Sequence, residues 1–155
     1  ENAAIKVLLL EQPISCEIQL ESFDFPILIA GKVDRIEERN GVIRIIDYKT
    51  GKVDGHSLKL SDVLTITPDI AYEKIIQLLC YALMFENHPL RQGREITAGI
   101  ISFKNMKNGF LPFGIGSGKD ANTVITREML EDFSVILKLI ILEIFNQELP
   151  FKEKN

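Results

Sequence analysis

The spacing of apolar residues in the first half of the chain predicts three β-strands. Residues 15–21 alternate between apolar and polar side chains, which is the period of a strand with one buried face. Residues 26–36 predict a second strand, and residues 41–48, rich in valine and isoleucine, predict a third. An earlier apolar run, residues 3–10, is interpreted as the end of a helix that stops before Pro13.

The second half of the chain has longer apolar periods and predicts two helices. The predicted elements are, in order, a long polar connection at 50–68, a helix at 70–85, a strand at 96–103, a turn at 105–109, a segment at 110–115 that pairs back on that strand, and a long helix at 127–145 capped by Thr126. Strands, helix, strand and helix in this order are typical of a mixed α/β or α+β fold. We therefore expect residues 1–155 to form one domain.

Composition narrows the class of protein without naming a function. Of 155 residues, 46% are hydrophobic and 26% charged, an ordinary globular balance, and the net charge of −4 excludes a broadly basic nucleic-acid binder. Any basic surface must be local or supplied by a partner. The two cysteines form no CxxC pair, and no apolar run is long enough for a membrane helix. We expect a cytoplasmic protein, and both ends look cut from a longer chain.

A predicted hairpin brings two carboxylates together. Asn-Gly between β-forming residues is a strong signal for a two-residue turn. If Asn40 and Gly41 are its loop residues, Asp34 lies directly opposite Asp47, with Cβ atoms roughly 5 Å apart. Like charges this close repel each other, and a divalent cation between them would reverse the interaction. The hairpin thus predicts a site for Mg²⁺ or Mn²⁺.

The same strand register places a lysine beside the two aspartates. Lys49 shares the face of Asp47 one strand period further along, where it could orient a water or neutralise charge on a phosphate. Three isoleucines share this face, so the charges lie at the edge of an apolar surface: Ile36, Ile43 and Ile45. On the opposite face, Glu37 would pair with Arg44. The alternative is that these are scattered charges on an exposed sheet.

The first predicted helix carries polar residues on an otherwise apolar segment. Gln77 and Tyr81 are four residues apart and share one face, which Glu73 extends. A buried amide and a phenol hydroxyl need hydrogen-bond partners, which an active-site water network or a phosphate would supply. The alternative is a core glutamine and tyrosine satisfied by the protein itself.

Three motifs in order resemble those of a known family. Gly31–Ile36 is similar to a GxxDR segment, residues 46–51 read IDYKTG, and residues 77–82 are similar to a QxxxY motif. Together they resemble the RecB-like branch of the PD-(D/E)XK nucleases, including AddB-type helicase-nuclease subunits and CRISPR-associated nucleases. The resemblance covers about a third of the chain.

The resemblance implies roles for individual residues. Asp34 and Asp47 would ligate the metal together with the backbone carbonyl of Tyr48, and Lys49 would position the attacking water. Gln77 and Tyr81 would lie beside the site, in a restriction-endonuclease-like core of a mixed sheet flanked by helices. The implied activity is Mg²⁺- or Mn²⁺-dependent hydrolysis of DNA by an exonuclease, acting with a helicase in repair and recombination on single strands or duplex ends.

The sequence departs from this family in two places. Many relatives carry an upstream helix whose His or Glu completes the metal shell, and no His precedes Asp34 here. Candidates to replace it are Glu11, Glu21 and above all Glu17, unless that helix precedes the chain. AddB-like relatives also hold an iron–sulfur cluster through cysteines after a segment like Pro150-Phe151. No Cys follows here, so no cluster is expected in this piece.

Two further segments have uncertain roles. The long connection at 50–68 carries Lys52, His56 and Lys59, which could contact DNA phosphates or could equally lie on a solvated loop. Residues 114–119 resemble a phosphate-binding loop but lack its spacing and the Ser or Thr after the lysine, so nucleotide binding there is rejected. Besides a nuclease, we weigh an inactive DNA-binding or scaffolding module of a helicase-nuclease and, third, a purely structural domain.

Overall fold

The fold is built on a mixed β-sheet, seen in a computed structural model that describes residues 4–150. The elements are β1 (Ile5–Ile18), β2 (Ile27–Arg39), β3 (Val42–Lys49), β4 (Lys59–Leu60), α1 (Glu73–Phe85), β5 (Ile96–Ser102), β6 (Phe110–Pro112), β7 (Gly114–Ile115) and α2 (Arg127–Ile144). Five strands form the main sheet in the order β1-β2-β3-β5-β6, and β4 pairs with β7 in a small second sheet. The mixed α/β class and the restriction-endonuclease-like architecture predicted above are confirmed.

The Asn-Gly hairpin forms with the predicted register. Asn40 and Gly41 both have positive φ, 53° and 79°, as a type I′ turn requires. Antiparallel pairing of β2 with β3 runs from Arg39–Val42 to Arg35–Ile46. The predicted cross-strand pair also forms, since Arg44 Nη1 lies 3.4 Å from Glu37 Oε1. Turn chemistry therefore set the strand alignment that the site depends on.

The prediction of a helix at residues 3–10 is wrong for the part of that range that the structure describes. Ile5–Ile18 form a single long strand at one edge of the sheet, antiparallel to β2. A short apolar run cannot distinguish a helix from a strand, and pairing with β2 decides the outcome here. Pro13 is accommodated because an edge strand can dispense with one backbone donor. The strand predicted at 15–21 is confirmed for residues 15–18, which form the C-terminal end of β1 with Ile18 buried, whereas residues 19–21 lie beyond the strand.

The crossover from β3 to β5 positions the end of β3. These strands run parallel and adjacent, so Lys49 at the end of β3 lies beside Ser102 at the end of β5. Helix α1 lies between them in sequence and contacts β1, β2, β3 and β5. It buries Ile75, Leu78 and Leu79 against the core. The carboxyl ends of β3 and β5 and one face of α1 are thereby brought to the same place.

The segment expected to be a long polar connection is anchored to the core. Residues 50–68 contain two single-turn 3₁₀ helices, Gly55–Leu58 and Val63–Thr65, each capped by the aspartate that immediately precedes it. Its buried apolar residues are Val53, Leu58, Leu60, Val63 and Ile66. The other two predicted helices are confirmed with shifted ends. Helix α1 starts at Glu73, after a 3₁₀ turn, and Thr126 caps α2 by accepting a hydrogen bond from the N–H of Met129.

Candidate active site

Asp34 lies where the pairing of β2 with β3 stops. Backbone pairing reaches Arg35–Ile46, one residue short of the two aspartates. Beyond that point the side chain of Asp34 takes over as acceptor, because its Oδ2 receives the N–H of Tyr48 at 2.8 Å. This bond ties the Asp34 carboxylate to the backbone that follows Asp47. The hairpin predicted the neighbourhood of the two aspartates but not this local departure from the ladder.

Asp47 is a buried carboxylate that its surroundings do not satisfy. Its residue is 4% exposed, and burial is the main reason that its pKa is raised. Lys49 lowers that pKa again, while the nearby Asp34 raises it further. Asp47 Oδ2 forms an ion pair with Lys49 Nζ at 2.9 Å, and apart from this lysine no described donor satisfies the buried oxygen. A buried carboxylate oxygen that has no further donor favours the binding of an additional cation.

A chain of hydrogen bonds fixes Lys49. Its Nζ donates to Gln77 Oε1 at 2.9 Å, and Gln77 Nε2 donates in turn to the hydroxyl oxygen of Tyr81 at 3.2 Å. The Tyr81 hydroxyl donates to the backbone carbonyl of Lys32 at 3.0 Å. The lysine ammonium is thus held between the Asp47 carboxylate and an amide whose own orientation is fixed from β2. Sequence spacing placed Gln77 and Tyr81 on one helix face, and that placement is confirmed.

Three contributors to this arrangement were given no individual role by the sequence analysis. The carbonyl of Lys32 ends the hydrogen-bond chain, and Gly31 makes room for the Tyr81 ring, since a Cβ there would lie 3.1 Å from Tyr81 Cε1. A glycine inside a strand is the signal that could have revealed this close approach. Ser102 is fully buried and donates to the carbonyl of Gly51 at 2.7 Å, which holds the chain leaving β3 against β5.

The donor set fits a divalent cation that takes few ligands from the protein. Asp34 and Asp47 offer carboxylate oxygens, and the described residues contain no cluster of three acidic, His or Cys side chains suited to a metal. Mg²⁺ is commonly bound through one or two carboxylates, with water and substrate phosphates completing its shell. The metal expected from the sequence therefore fits these residues.

The upstream glutamate expected to complete the shell has different neighbours. Glu17 lines a separate surface hollow with Leu83 and Lys138, and none of the five candidate catalytic residues borders it. Cys16 and Cys80 are both free. The stretch after Pro150, where cysteines of an iron–sulfur cluster would follow in some relatives, lies outside the described residues.

A mixed sheet that presents Asp34 from the middle of β2, and Asp47 and Lys49 from the end of β3, beside a Gln- and Tyr-bearing helix defines a restriction-endonuclease-like nuclease core. Family comparison agrees with this class: a model of the PD-(D/E)XK nuclease superfamily matches residues 5–155. The chain belongs to the PD-(D/E)XK nuclease superfamily, whose members typically use divalent metal ions and act on DNA. Among curated proteins and solved structures, nothing matches the chain. No helix in residues 4–150 is long and apolar enough to cross a bilayer.

Proposed function

We propose that this chain is a Mg²⁺- or Mn²⁺-dependent deoxyribonuclease and acts as the exonuclease domain of a RecB/AddB-like helicase-nuclease in DNA repair and recombination. The observation that carries the proposal is the buried, unsatisfied Asp47 carboxylate beside Lys49, with Asp34 close enough to raise its pKa. A purely structural role would leave two neighbouring carboxylates beside one lysine, with burial and their mutual repulsion raising the pKa of Asp47 and no second cation to offset it.

Asp34 and Asp47 would hold the metal, with the Tyr48 carbonyl as a further ligand. When bound, the metal would neutralise phosphate charge and lower the pKa of a water. Lys49 contributes a fixed positive charge next to the same carboxylate, suited to stabilising charge that develops on a phosphate oxygen.

Gln77 and Tyr81 act as positioning residues in this proposal. Lys49 has a long flexible side chain. If its ammonium group were not held in place, it would lose rotamer entropy each time it bound a phosphate. The acceptor Gln77 Oε1 removes that freedom in advance, and Tyr81 fixes which way the amide points. The site is thereby preorganised before substrate arrives.

Single-residue variants test the activity directly. We expect Asp47→Ala to raise the barrier by at least about 3 kcal/mol, a loss of more than about a hundredfold in rate. Linear 5′-labelled single-stranded DNA with Mg²⁺ or Mn²⁺ is the substrate, and the exposed Asp24→Ala is the matched control. Unchanged cleavage by Asp47→Ala would refute the assignment.

The exonuclease part of the proposal has its own test. A circular single strand has no end, so an exonuclease leaves it intact while it degrades the linear form of the same sequence. Cleavage of the circle at a comparable rate would show an endonuclease. Calorimetric titration with Mn²⁺ separates catalysis from binding: wild type should bind the ion, and Asp34→Ala should not. Metal binding without cleavage would identify an inactive relative.

A further inference from the structure

A second cavity, outside the candidate active site, carries cationic side chains. It has a volume of about 510 Å³, and its lining includes the cationic Lys59 and Lys119, the imidazole of His56 and the backbone around Gly118. An adjoining hollow of about 500 Å³ shares His56, Lys59 and Gly118. Because they share these lining residues, we treat the two hollows as one groove, which runs along residues 116–118.

Lys59 has no anionic partner in this groove. Its Nζ donates to the Pro112 carbonyl at 2.5 Å, and no carboxylate of residues 4–150 lies within ion-pair distance of it. Gly114 leaves space for the ammonium, because a Cβ there would lie 3.2 Å from Nζ. Partial burial lowers the Lys59 pKa, and an anion alongside would oppose that shift.

The groove also contains one acidic side chain. Asp54 lines it, but its Oδ1 accepts the N–H of His56 at 2.9 Å as the cap of a 3₁₀ turn. Lys119 is exposed on the 3₁₀ turn Gly118–Asp120, and Gly116 has a φ of 110°. Cations thus outnumber the carboxylates that line the cavity.

Two hydrogen bonds fix the groove relative to the catalytic strands. Ser102 Oγ holds the Gly51 carbonyl at 2.7 Å, and Asn105 Nδ2 holds that of Val53 at 3.2 Å. Asp54 follows Lys49 by five residues, a span of at most about 17 Å. A nucleic-acid strand has one phosphate per roughly 3.4 Å of helical rise, so the side of the groove at Asp54 lies within about five phosphates of Lys49.

We propose that the groove formed by His56, Lys59 and Lys119 binds the phosphodiester backbone of the strand whose scissile phosphate lies at Asp47 and Lys49. The proposal rests on the proposed function for the position of that scissile phosphate. The groove would be a local basic surface on a protein whose overall net charge is −4.

Binding of a fluorescent single strand, (dT)12, tests the proposal with the full chain in EDTA, where cleavage cannot contribute. Lys59→Met and Lys119→Ala should each weaken binding by about fivefold. Each should also flatten the dependence of log K on log salt by about 0.7, the contribution of one phosphate contact to a single strand. The exposed Lys6→Ala on β1 is the matched control and should bind as wild type.

Three results would overturn the proposal. One is unchanged binding and salt slope in both lysine variants, with Lys119→Ala, at an exposed position, guarding against misfolding of Lys59→Met. Another is an equal loss in Lys6→Ala. A third is binding of dTMP or inorganic phosphate as tightly as the oligonucleotide, which would assign the groove to free phosphate groups. Metal-dependent cleavage, measured separately, distinguishes failure of this groove from failure of the nuclease proposal.

Discussion

At the scale of single residues, the charge on Asp47 is held at a cost that depends on pH. Burial raises its pKa chiefly by removing water, and the repulsion from Asp34 adds to this, while Lys49 offsets part of the effect. The folded protein therefore keeps the Asp47 proton to a higher pH than the unfolded chain does. Ionised Asp47 therefore lowers the stability of the folded protein, and a cation bound beside the carboxylate would restore that stability.

The sign of this effect gives a pH prediction. Because the folded-state pKa of Asp47 lies above its unfolded value, the contribution of this group to stability is fully present at low pH and is lost as the pH rises through the folded pKa. In EDTA, we expect the free energy of unfolding of wild type to fall relative to Asp47→Asn as the pH rises above the ordinary aspartate range. Urea titrations at several pH values measure it, and a constant difference between the two proteins would contradict it.

Gln77 gives a second prediction at this scale. Gln77→Leu removes the acceptor that fixes the Lys49 ammonium and leaves the Tyr81 hydroxyl oxygen without a donor. We expect kcat to fall by about tenfold with KM little changed, because orientation rather than binding is lost. Gln77→Glu keeps an acceptor for Lys49 and should restore much of the rate. Equal loss in both variants would point to a packing defect instead.

The residues of the site were more predictable than the bonds among them. Asp34, Asp47 and Lys49 could be grouped from the hairpin, since turn residues and strand period fix which positions are neighbours. The bond from Tyr48 N–H to Asp34 could not, because it depends on where the ladder ends. The Lys49–Gln77 contact needed the packing of α1 on β3, a tertiary fact that no local pattern encodes.

At the scale of elements, the β2–β3 hairpin is the part of the fold most strongly specified by its own sequence. Gly41 sits at a φ of 79° with open space around its Cβ position, so backbone strain alone penalises a side chain there. By contrast, the sequence predicts a helix for the first half of β1, because the pairing with β2 that makes it a strand lies outside that segment. The segment at 50–68 was taken for a polar connection because its apolar anchors are single residues spaced irregularly.

The hairpin turn can be tested with two glycines. Gly41→Ala should lower the free energy of unfolding by about 1 kcal/mol, since alanine is strained at positive φ. Gly51 also has open space at its Cβ and no positive φ, so Gly51→Ala is the matched control and should be neutral or slightly stabilising. Chemical denaturation of both variants decides the matter. Similar values for the two would mean that the turn does not carry the expected strain.

At the scale of the whole molecule, an acidic protein is expected to bind a polyanion only where charge is locally reversed. The net charge of −4 is consistent with a nuclease whose contacts to its substrate are few and local. A divalent metal held by Asp34 and Asp47 would supply two positive charges at the carboxyl end of β3. Binding of the cation is thus linked to the stability of the whole fold as well as to chemistry.

Metal-dependent stability is therefore the prediction at this scale. A ligand that binds only the folded state at a hundred times its Kd adds about 2.7 kcal/mol, which for a chain of this size raises Tm by about 5–10 °C. Saturating Mn²⁺ should produce such a shift in wild type and in Asp24→Ala. Asp34→Ala and Asp47→Ala should show none. Thermal melts by circular dichroism suffice, and a shift that survives in both site variants would place the ion elsewhere.

The long edge strand β1 has a consequence for self-association. A bare row of backbone donors and acceptors can recruit the edge of another molecule, the first step of β-mediated polymerisation. Along β1 that row is broken midway, because Pro13 has no N–H to give and Glu11, at a φ of 49°, turns the backbone out of line. The irregular backbone of β1 thus makes the exposed edge of the sheet a poor template for edge-to-edge pairing with another molecule.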